Sequence, residues 1–341
     1  MGLKILHSAD WHLGSPFASF PEAQRQLLLT EQRKLPGKIA QLARQQNCDL
    51  VLLAGDIFDG TPGRDWVELL KKALAEYAVP VFISPGNHDY CTPGSPWLEE
   101  DWPENVHIFT GKMESVVLPG RNCRIYGAGF QSMDSAPLLE NFRAEGDERY
   151  RIGVLHGDPV QKNSPYSPIT ARQIENSGLD YLALGHIHKG GMLHIGDTVC
   201  AWPGCPMGRG WDETGEKGVL VVTLGEGSQV QAVPLDTIRF YNLETEGEDL
   251  PALLPPAGSR DFYRITLTGC ADGNLTEIRD SLSRFPNLTL RDHREEPIDL
   301  WADVGEDTLR GVYFGMLREQ DALLTAEISH RLLSGREVRL P

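Results

Sequence analysis

Five short clusters in this sequence carry histidine, carboxylate or carboxamide side chains: Asp10-Trp11-His12, Gly55-Asp56, Gly86-Asn87-His88-Asp89, His156-Gly157 and Gly185-His186-Ile187-His188. They contain five of the ten histidines. Imidazole, carboxylate and carboxamide donors without cysteine suit manganese or iron, with zinc also compatible, and so many imidazoles disfavour magnesium. The donor types gathered in these clusters fit two ions. On an extended backbone residues two apart point the same way, so Asp10-x-His12 and His186-x-His188 can each grip a shared site. Glycines before Asp56, Asn87 and His186 are expected to form sharp turns that expose a ligand. Two divalent cations, offset by Asp10, Asp56 and a bridging hydroxide, leave one net positive charge, which matches a phosphodiester anion. A neutral Asn87 fits that balance, because further carboxylates would repel the substrate. Metals roughly 3.5–4 Å apart can activate water and clamp the attacking and leaving oxygens of an in-line displacement.

Such clusters act together only if the fold brings them together. Leu3–His7 reads as a strand, Asp49–Ala54 as a buried apolar strand and Val79–Ser84 as a third, with helical segments at 22–46 and 65–77 between them. The pattern is βαβαβ and predicts a parallel sheet with helical crossovers. In such sheets the segments past the carboxyl ends of strands meet in one crevice. Pro36-Gly37 is expected to kink or split the first helix. Further strands are predicted at 123–128, 151–156, 180–185, 198–202, 217–224 and 229–235, with antiparallel pairing after Gly190. Acidic, proline-bearing Glu244–Pro256 reads as a linker. Beyond it come a strand (262–268), a helix (274–284), a strand (287–292) and a helical segment (306–334). The expected division is a catalytic domain at 1–240 and a smaller α+β cap at 241–341. Singly, Asp10, Asp56 and Asn87 could be helix caps and His156 a core residue. Five strand ends carrying metal-binding types together favour the metal reading.

The 341 residues carry a net charge of −16, which argues against a protein that coats nucleic acid through a basic face. It leaves nucleic acid open as a substrate, since bound metals supply local positive charge. Residues 241–341 hold 11 Arg and no Lys against 19 Asp and Glu. Six scattered cysteines (Cys48, Cys91, Cys123, Cys200, Cys205, Cys270) form no CxxC pair and read as buried thiols. No apolar run approaches the roughly 18 residues of a membrane helix. Polar His7 and Asp10 come too early for a signal-peptide core, so a cytoplasmic location is expected.

The order DxH, GD, GNHD, H, GHxH at strand ends resembles the calcineurin-like metallophosphoesterase superfamily. The strings HSADWHLGSPF (7–17), AGDIFD (54–59), PGNHD (85–89) and ALGHIH (183–188) are similar to nuclease subunits of SbcCD-type DNA repair complexes, especially the YhaO-like exonucleases. The resemblance covers residues 1–240 well. It implies a mixed β-sandwich flanked by helices and hydrolysis of DNA phosphodiesters by a metal-bridging hydroxide. It assigns Asp10, His12, Asp56 and His188 to one ion and Asp56, Asn87, His156 and His186 to the other, with manganese the leading metal. His88 resembles the catalytic histidine that binds no metal, and Asp89 would orient it. Asp59 stands where some nuclease relatives carry histidine. The resemblance further implies a homodimer and an SbcC-type coiled-coil ATPase partner; this chain itself has no GxxxxGK[ST] loop. A phosphodiesterase for a cyclic nucleotide or lipid head group, and a non-catalytic scaffold, are the alternatives. Two features outside the motifs stand out. The loop Trp202–Gly218, with Arg209 and two tryptophans, could contact substrate or be an ordinary loop. The terminal stripe of Leu309, Val312, Tyr313, Met316, Leu317, Leu323, Leu324 and Ile328 could be packed core or a docking face.

Overall fold

All four side chains of the strand Leu50–Leu53 are buried, because each face of that strand meets packed neighbours. Val51 and Leu53 join a cluster with Leu28, Leu35, Ile39, Leu70 and Leu74 from two helices. Leu50 and Leu52 join a different cluster, with Ile125, Ile152, Val154 and Ala183 from other strands. Successive strand side chains point to opposite faces, so one face of this sheet takes helices and the other takes a second sheet. That arrangement is a β-sandwich flanked by helices.

The computed structural model describes residues 2–335 and 338, apart from 270, 272, 273 and 296–298. The strands are β1 (Leu3–Ser8), β2 (Leu50–Leu53), β3 (Val81–Ile83), β4 (Val106–Ile108), β5 (Glu114–Leu118), β6 (Cys123–Gly127), β7 (Tyr150–His156), β8 (Tyr181–Gly185), β9 (Lys189–Ile195), β10 (Thr198–Gly204), β11 (Gly218–Leu224), β12 (Ser228–Pro234), β13 (Phe240–Glu246), β14 (Phe262–Thr268) and β15 (Leu288–Asp292). The helices are α1 (Glu22–Gln45), α2 (Arg64–Ala75), α3 (Pro96–Glu99), α4 (Ala171–Asn176), α5 (Leu275–Leu282), α6 (Leu309–Glu319) and α7 (Leu323–Leu333). One six-stranded sheet runs β12-β11-β1-β2-β3-β4, the other β5-β6-β7-β8-β10-β9, and a three-stranded sheet runs β13-β14-β15. Strands β1 to β4 are parallel neighbours, as are β6, β7, β8 and β10. Antiparallel strands close the β12 edge of the first sheet and both edges of the second.

The chain divides into two compact units. One comprises Met1–Asn242, Pro255–Arg264 and Arg284–Thr289; the other comprises Leu243–Leu254, Ile265–Ser283 and Leu290–Pro341. In the smaller unit Phe314, Leu317 and Ala326 pack with Leu300, Trp301 and Val304.

Several sequence expectations are corrected. Helix α1 runs unbroken through Pro36. Its buried face continues on both sides of the proline, from Leu28 and Gln32 to Ile39 and Ala43, and that burial outweighs the roughly 3 kcal/mol of an internal proline. The anticipated linker is strand up to Glu246, followed by a 3₁₀ turn at Gly247–Leu253. The terminal helical segment breaks into α6 and α7 at Asp321, whose φ is 52°. Strands β4, β5 and β9 lie outside the expected set, because they are partly exposed and carry apolar runs of three residues at most. Cys48, Cys91, Cys123, Cys200 and Cys205 are buried free thiols, and Cys270 lies outside the described residues. Among the described residues no helix is long and apolar enough to cross a membrane.

Between the sheets His7 is fully buried. Its Nε2 donates to Leu184 O at 3.0 Å, so its Nδ1 accepts from Tyr181 Oη at 2.8 Å. Burial pulls its pKa from 6.5 down to about 3. Between those limits the unfolded chain binds a proton that folded His7 refuses, so this contribution to stability is complete above the window and is lost as pH falls through it. His7→Gln can keep both hydrogen bonds without titrating. Urea titrations of the metal-free protein from pH 7 to pH 4 should show the wild type losing up to about 1.4 kcal/mol more per pH unit than the variant. Parallel slopes would show that His7 does not carry this dependence.

Candidate metal centre

The chain leaves β1, β2 and β3 in one sheet and β7 and β8 in the other at a common edge. There the Asp10 amide donates to Gly55 O at 3.0 Å and the His12 amide to Asp56 O at 2.9 Å. The His186 amide donates to Asp10 Oδ1 at 3.0 Å, and the His88 amide to Asp56 Oδ1 at 2.9 Å. Four of these residues sit at positive φ: Asp10 (54°), His12 (47°), Asp56 (50°) and His186 (96°). Non-glycine residues rarely adopt that region, and each costs on the order of 1–3 kcal/mol. Of the glycines expected to turn the chain, Gly55 does so (φ 89°). Gly86 serves closeness instead, since a Cβ there would overlap Asp56 Oδ1 and the His156 ring.

The polarity of the rings shows what the centre can hold. His188 Nδ1 donates to Glu213 Oε1 at 2.7 Å, and His12 Nδ1 lies 3.3 Å from Asp59 Oδ1. In the neutral rings, with the proton on Nδ1, each carries a lone pair on Nε2, and the two Nε2 atoms face each other at 3.2 Å. Asp56 Oδ2 is 3.8 Å from His12 Nε2, and Asp10 Oδ1 is 4.0 Å from His188 Nε2. Electron-pair donors converge here with no proton between them, which suits a cation.

A second convergence adjoins the first. His156 Nδ1 donates to Ala54 O at 2.9 Å, so its Nε2 is an acceptor, yet it faces Asn87 Oδ1 at 2.9 Å and Asp56 Oδ2 at 3.4 Å. His186 Nδ1 lies 3.2 Å from the same Asn87 oxygen. Burial, with His156 alongside, pulls the His186 pKa down to about 4, so the His186 ring is neutral at pH 7. Asp10 and Asp56 are both buried; burial pushes the Asp10 carboxyl above its usual range, and the Asp56 charge adds to the push. Three-ligand groupings within 4.8 Å are Asp10/His12/His188, Asp10/Asp56/His156 and His12/Asp56/His88. The structure thus brings all seven sequence-predicted donors together, with Asp56 between the two convergences, and their chemistry fits divalent metal ions.

His88 differs from the rest. Its side chain is 42% exposed and its Nδ1 lies 3.1 Å from Asp59 Oδ1. That hydrogen bond raises the pKa of His88. The expected partner, Asp89, is otherwise engaged: it accepts the amides of Ile57, Phe58 and Gly86 at 2.8–3.1 Å and is pushed up to about 7 by burial and the Asp56 charge. Asp59 instead orients His88. Ser15 Oγ holds its second oxygen at 2.7 Å.

Sequence reasoning missed Glu213 and Asp158. Glu213 lies in an irregular loop with no strand-end signature. Asp158 was visible in principle, since His156-x-Asp158 repeats the two-residue spacing; its Oδ2 lies 3.8 Å from His186 Nε2. The tryptophans of the 202–218 loop are packed rather than presented: Trp202 is buried, and Trp211 lies against Phe20, Phe240 and Phe262.

Residues 3–190 match the family model for calcineurin-like phosphoesterases. The chain is 34% identical over 335 residues to the "uncharacterized metallophosphoesterase YhaO" of Bacillus subtilis (strain 168), covering 88% of this chain and 80% of that protein. It is 22% identical over 334 residues to a protein of Staphylococcus epidermidis named as a subunit of nuclease SbcCD, covering 84% of each. A dimetal phosphatase from Danio rerio superposes at a TM-score of 0.44, with 12% identity over 67% of this chain and 98% of its own.

Protein purified with excess manganese should carry two ions per chain, and Asp56→Asn should retain at most one while keeping its circular-dichroism spectrum. Added metal should also raise the melting temperature, because it binds a folded site that the unfolded chain lacks. One ion or none in the wild type by elemental analysis would refute a two-ion centre.

Proposed function

Since this chain belongs to the calcineurin-like phosphoesterase family, we propose that it is a metal-dependent DNA exonuclease or endonuclease acting in DNA repair. The observation that carries the reading is the pair of electron-donor convergences sharing Asp56, with His88 beside them and oriented by Asp59. Asp10, His12, Asp56 and His188 would hold one ion; Asp56, Asn87, His156 and His186 would hold the other. Two bound divalent ions, with manganese the leading choice, supply activation of the attacking water and a clamp on the phosphate. This chain's residues do the rest. Glu213 and the Ala54 carbonyl fix the His188 and His156 tautomers, so that each ring turns a lone pair inward. Asp59 keeps a proton on His88 Nδ1 and favours the charged ring, whose Nε2–H can then pass to the leaving oxygen.

Two features support a nucleic-acid substrate. His88 borders a cavity of ≈ 420 Å³ lined also by Phe58, Tyr90, Trp97 and Met133, and its own exposure leaves that side open to a long chain. The relative from Staphylococcus epidermidis is named as a nuclease subunit. The resemblance further implies an SbcC-type coiled-coil ATPase partner and a homodimer. An apolar face of α6 fits a partner: Leu309 is 90% exposed, and Val312 and Met316, three and seven residues on, each exceed half exposure, as do Leu323, Leu324, Leu332 and Leu333 round α7. Soluble monomers rarely leave such a face uncovered.

Manganese-loaded protein should degrade labelled DNA and lose that activity to a chelator. His88→Ala should lower turnover by roughly 10²–10⁴-fold, the range for a general acid, with both ions retained. Linear and circular DNA, assayed beside a bis-aryl phosphodiester, decide the substrate. Cleavage of the small diester with no attack on either DNA would sink the nuclease reading, and loss of an ion in His88→Ala would make His88 a ligand.

The docking face has its own test. Truncation after Gly305 should abolish co-purification with the host's coiled-coil ATPase while leaving both ions bound. A truncated chain that still binds the ATPase would remove α6 and α7 as the docking element.

A further inference from the structure

Arg209, between β10 and β11, reaches the metal centre from outside its seven donors. Its Nη2 donates to Glu213 Oε1 at 3.0 Å, and its amide donates to Glu213 Oε2 at 2.7 Å. Glu213 is nearly buried, with a side chain 7% exposed, and its Oε1 also accepts the proton of His188 Nδ1. One carboxylate oxygen therefore fixes a ligand imidazole and a guanidinium at once. On its other side Arg209 Nη1 stands 4.0 Å from Asp59 Oδ1, the oxygen that orients His88. The guanidinium thus lies between the residue that steadies His188 and the residue that steadies His88.

These neighbours do not saturate Arg209. A guanidinium has five N–H donors in a planar fork. Here Nη1 is beyond hydrogen-bonding reach of Asp59, Nε is buried without a hydrogen-bond partner, and Nη2 alone is engaged, 3.0 Å from Glu213 Oε1 and 3.2 Å from His188 Nδ1. An arginine serving only as a structural ion pair would spend both arms on a carboxylate, in the bidentate geometry that such pairs favour. Arg209 keeps one arm unspent, and 22% of its side chain is open to solvent.

We propose that Arg209 is a substrate-binding residue that grips a non-bridging oxygen of the phosphodiester anion beside His88, with Glu213 holding the guanidinium in place. The assignment rests on the phosphodiesterase chemistry of the metal centre, and it names the protein group that adds charge-assisted hydrogen bonds to the phosphate. It also gives the loop a role that its packed tryptophans do not.

The test compares wild type, Arg209→Ala and Arg209→Lys, each loaded with manganese. Manganese content is read by elemental analysis, inorganic phosphate binding by isothermal titration, and kcat and KM on a bis-aryl phosphodiester. Arg209→Ala should keep both ions, bind phosphate roughly ten- to a hundred-fold more weakly, as expected for losing a charged hydrogen bond, and raise KM more than it lowers kcat. Arg209→Lys should restore part of the loss, since a point charge replaces the fork. Unchanged phosphate affinity in Arg209→Ala with both ions bound would overturn the proposal. So would loss of manganese in both variants, which would make Arg209 a brace for Glu213. Phosphate binding is read without turnover, so a wild type that binds phosphate but cleaves no diester would defeat the phosphodiesterase reading, while the variants still decide the role of Arg209.

Discussion

Electron-pair donors that face one another across a buried centre are the constraint on which the site depends. Outer oxygens force it: Ala54 O, Asp59 and Glu213 each hold the Nδ1 side of a ring, so His156, His12 and His188 must all turn acceptors inward. Buried Asp10 and Asp56 add negative charge to the same space. Desolvated carboxylates beside lone pairs are unfavourable by themselves, and four left-handed backbone residues add strain. Divalent ions bound here would turn each of these repulsions into a ligand bond. The strain is then intelligible as the geometry that aims the donors, in keeping with its tendency to collect at functional sites.

The sandwich supplies the rigidity that such a centre requires. Ile5, Leu50, Leu52 and Phe82 from one sheet pack against Ile125, Ile152, Val154 and Ala183 from the other. This core fixes the carboxyl ends of β1, β2, β3, β7 and β8 relative to one another. No donor needs a long lever: each lies within five residues of its strand end. The glycine at 86 admits the last ångström of approach, because any side chain there would occupy the place of Asp56 and His156.

Legibility in the sequence followed the same physics. Strands buried on both faces, such as β2, announce themselves as apolar runs, and the polar residues just beyond them stand out against that background. The five clusters are therefore readable from residue order, while the choice of seven donors within them is what the family resemblance implies. Strand β9 is not readable, because its Lys189–Ile195 stretch is largely exposed. Pro36 misleads because a local rule meets a tertiary contact: α1 keeps its buried face on both sides of the proline, and the Pro36 carbonyl accepts the Tyr77 hydroxyl at 3.0 Å. Asp89 and Asp59 exchange roles for a reason that spacing cannot express. Adjacency to His88 leaves Asp89 pointing back at three amides, whereas Asp59, twenty-nine residues earlier, comes to face the ring.

The net charge of −16 sets how an anionic substrate must be handled. At about 0.1 M salt the Debye length is roughly 10 Å, so most of that charge is screened from a phosphate already at the centre. Groups in direct contact are not screened in this way. The nearest carboxylates are also engaged, Asp59 with His12, His88 and Ser15, and Glu213 with His188 and Arg209. An acidic protein can then accept a phosphodiester if its cations are few, close and fixed, as two metal ions would be within this donor set. Such an enzyme draws its selectivity from the geometry of the centre, because its overall field repels the substrate rather than gathering it.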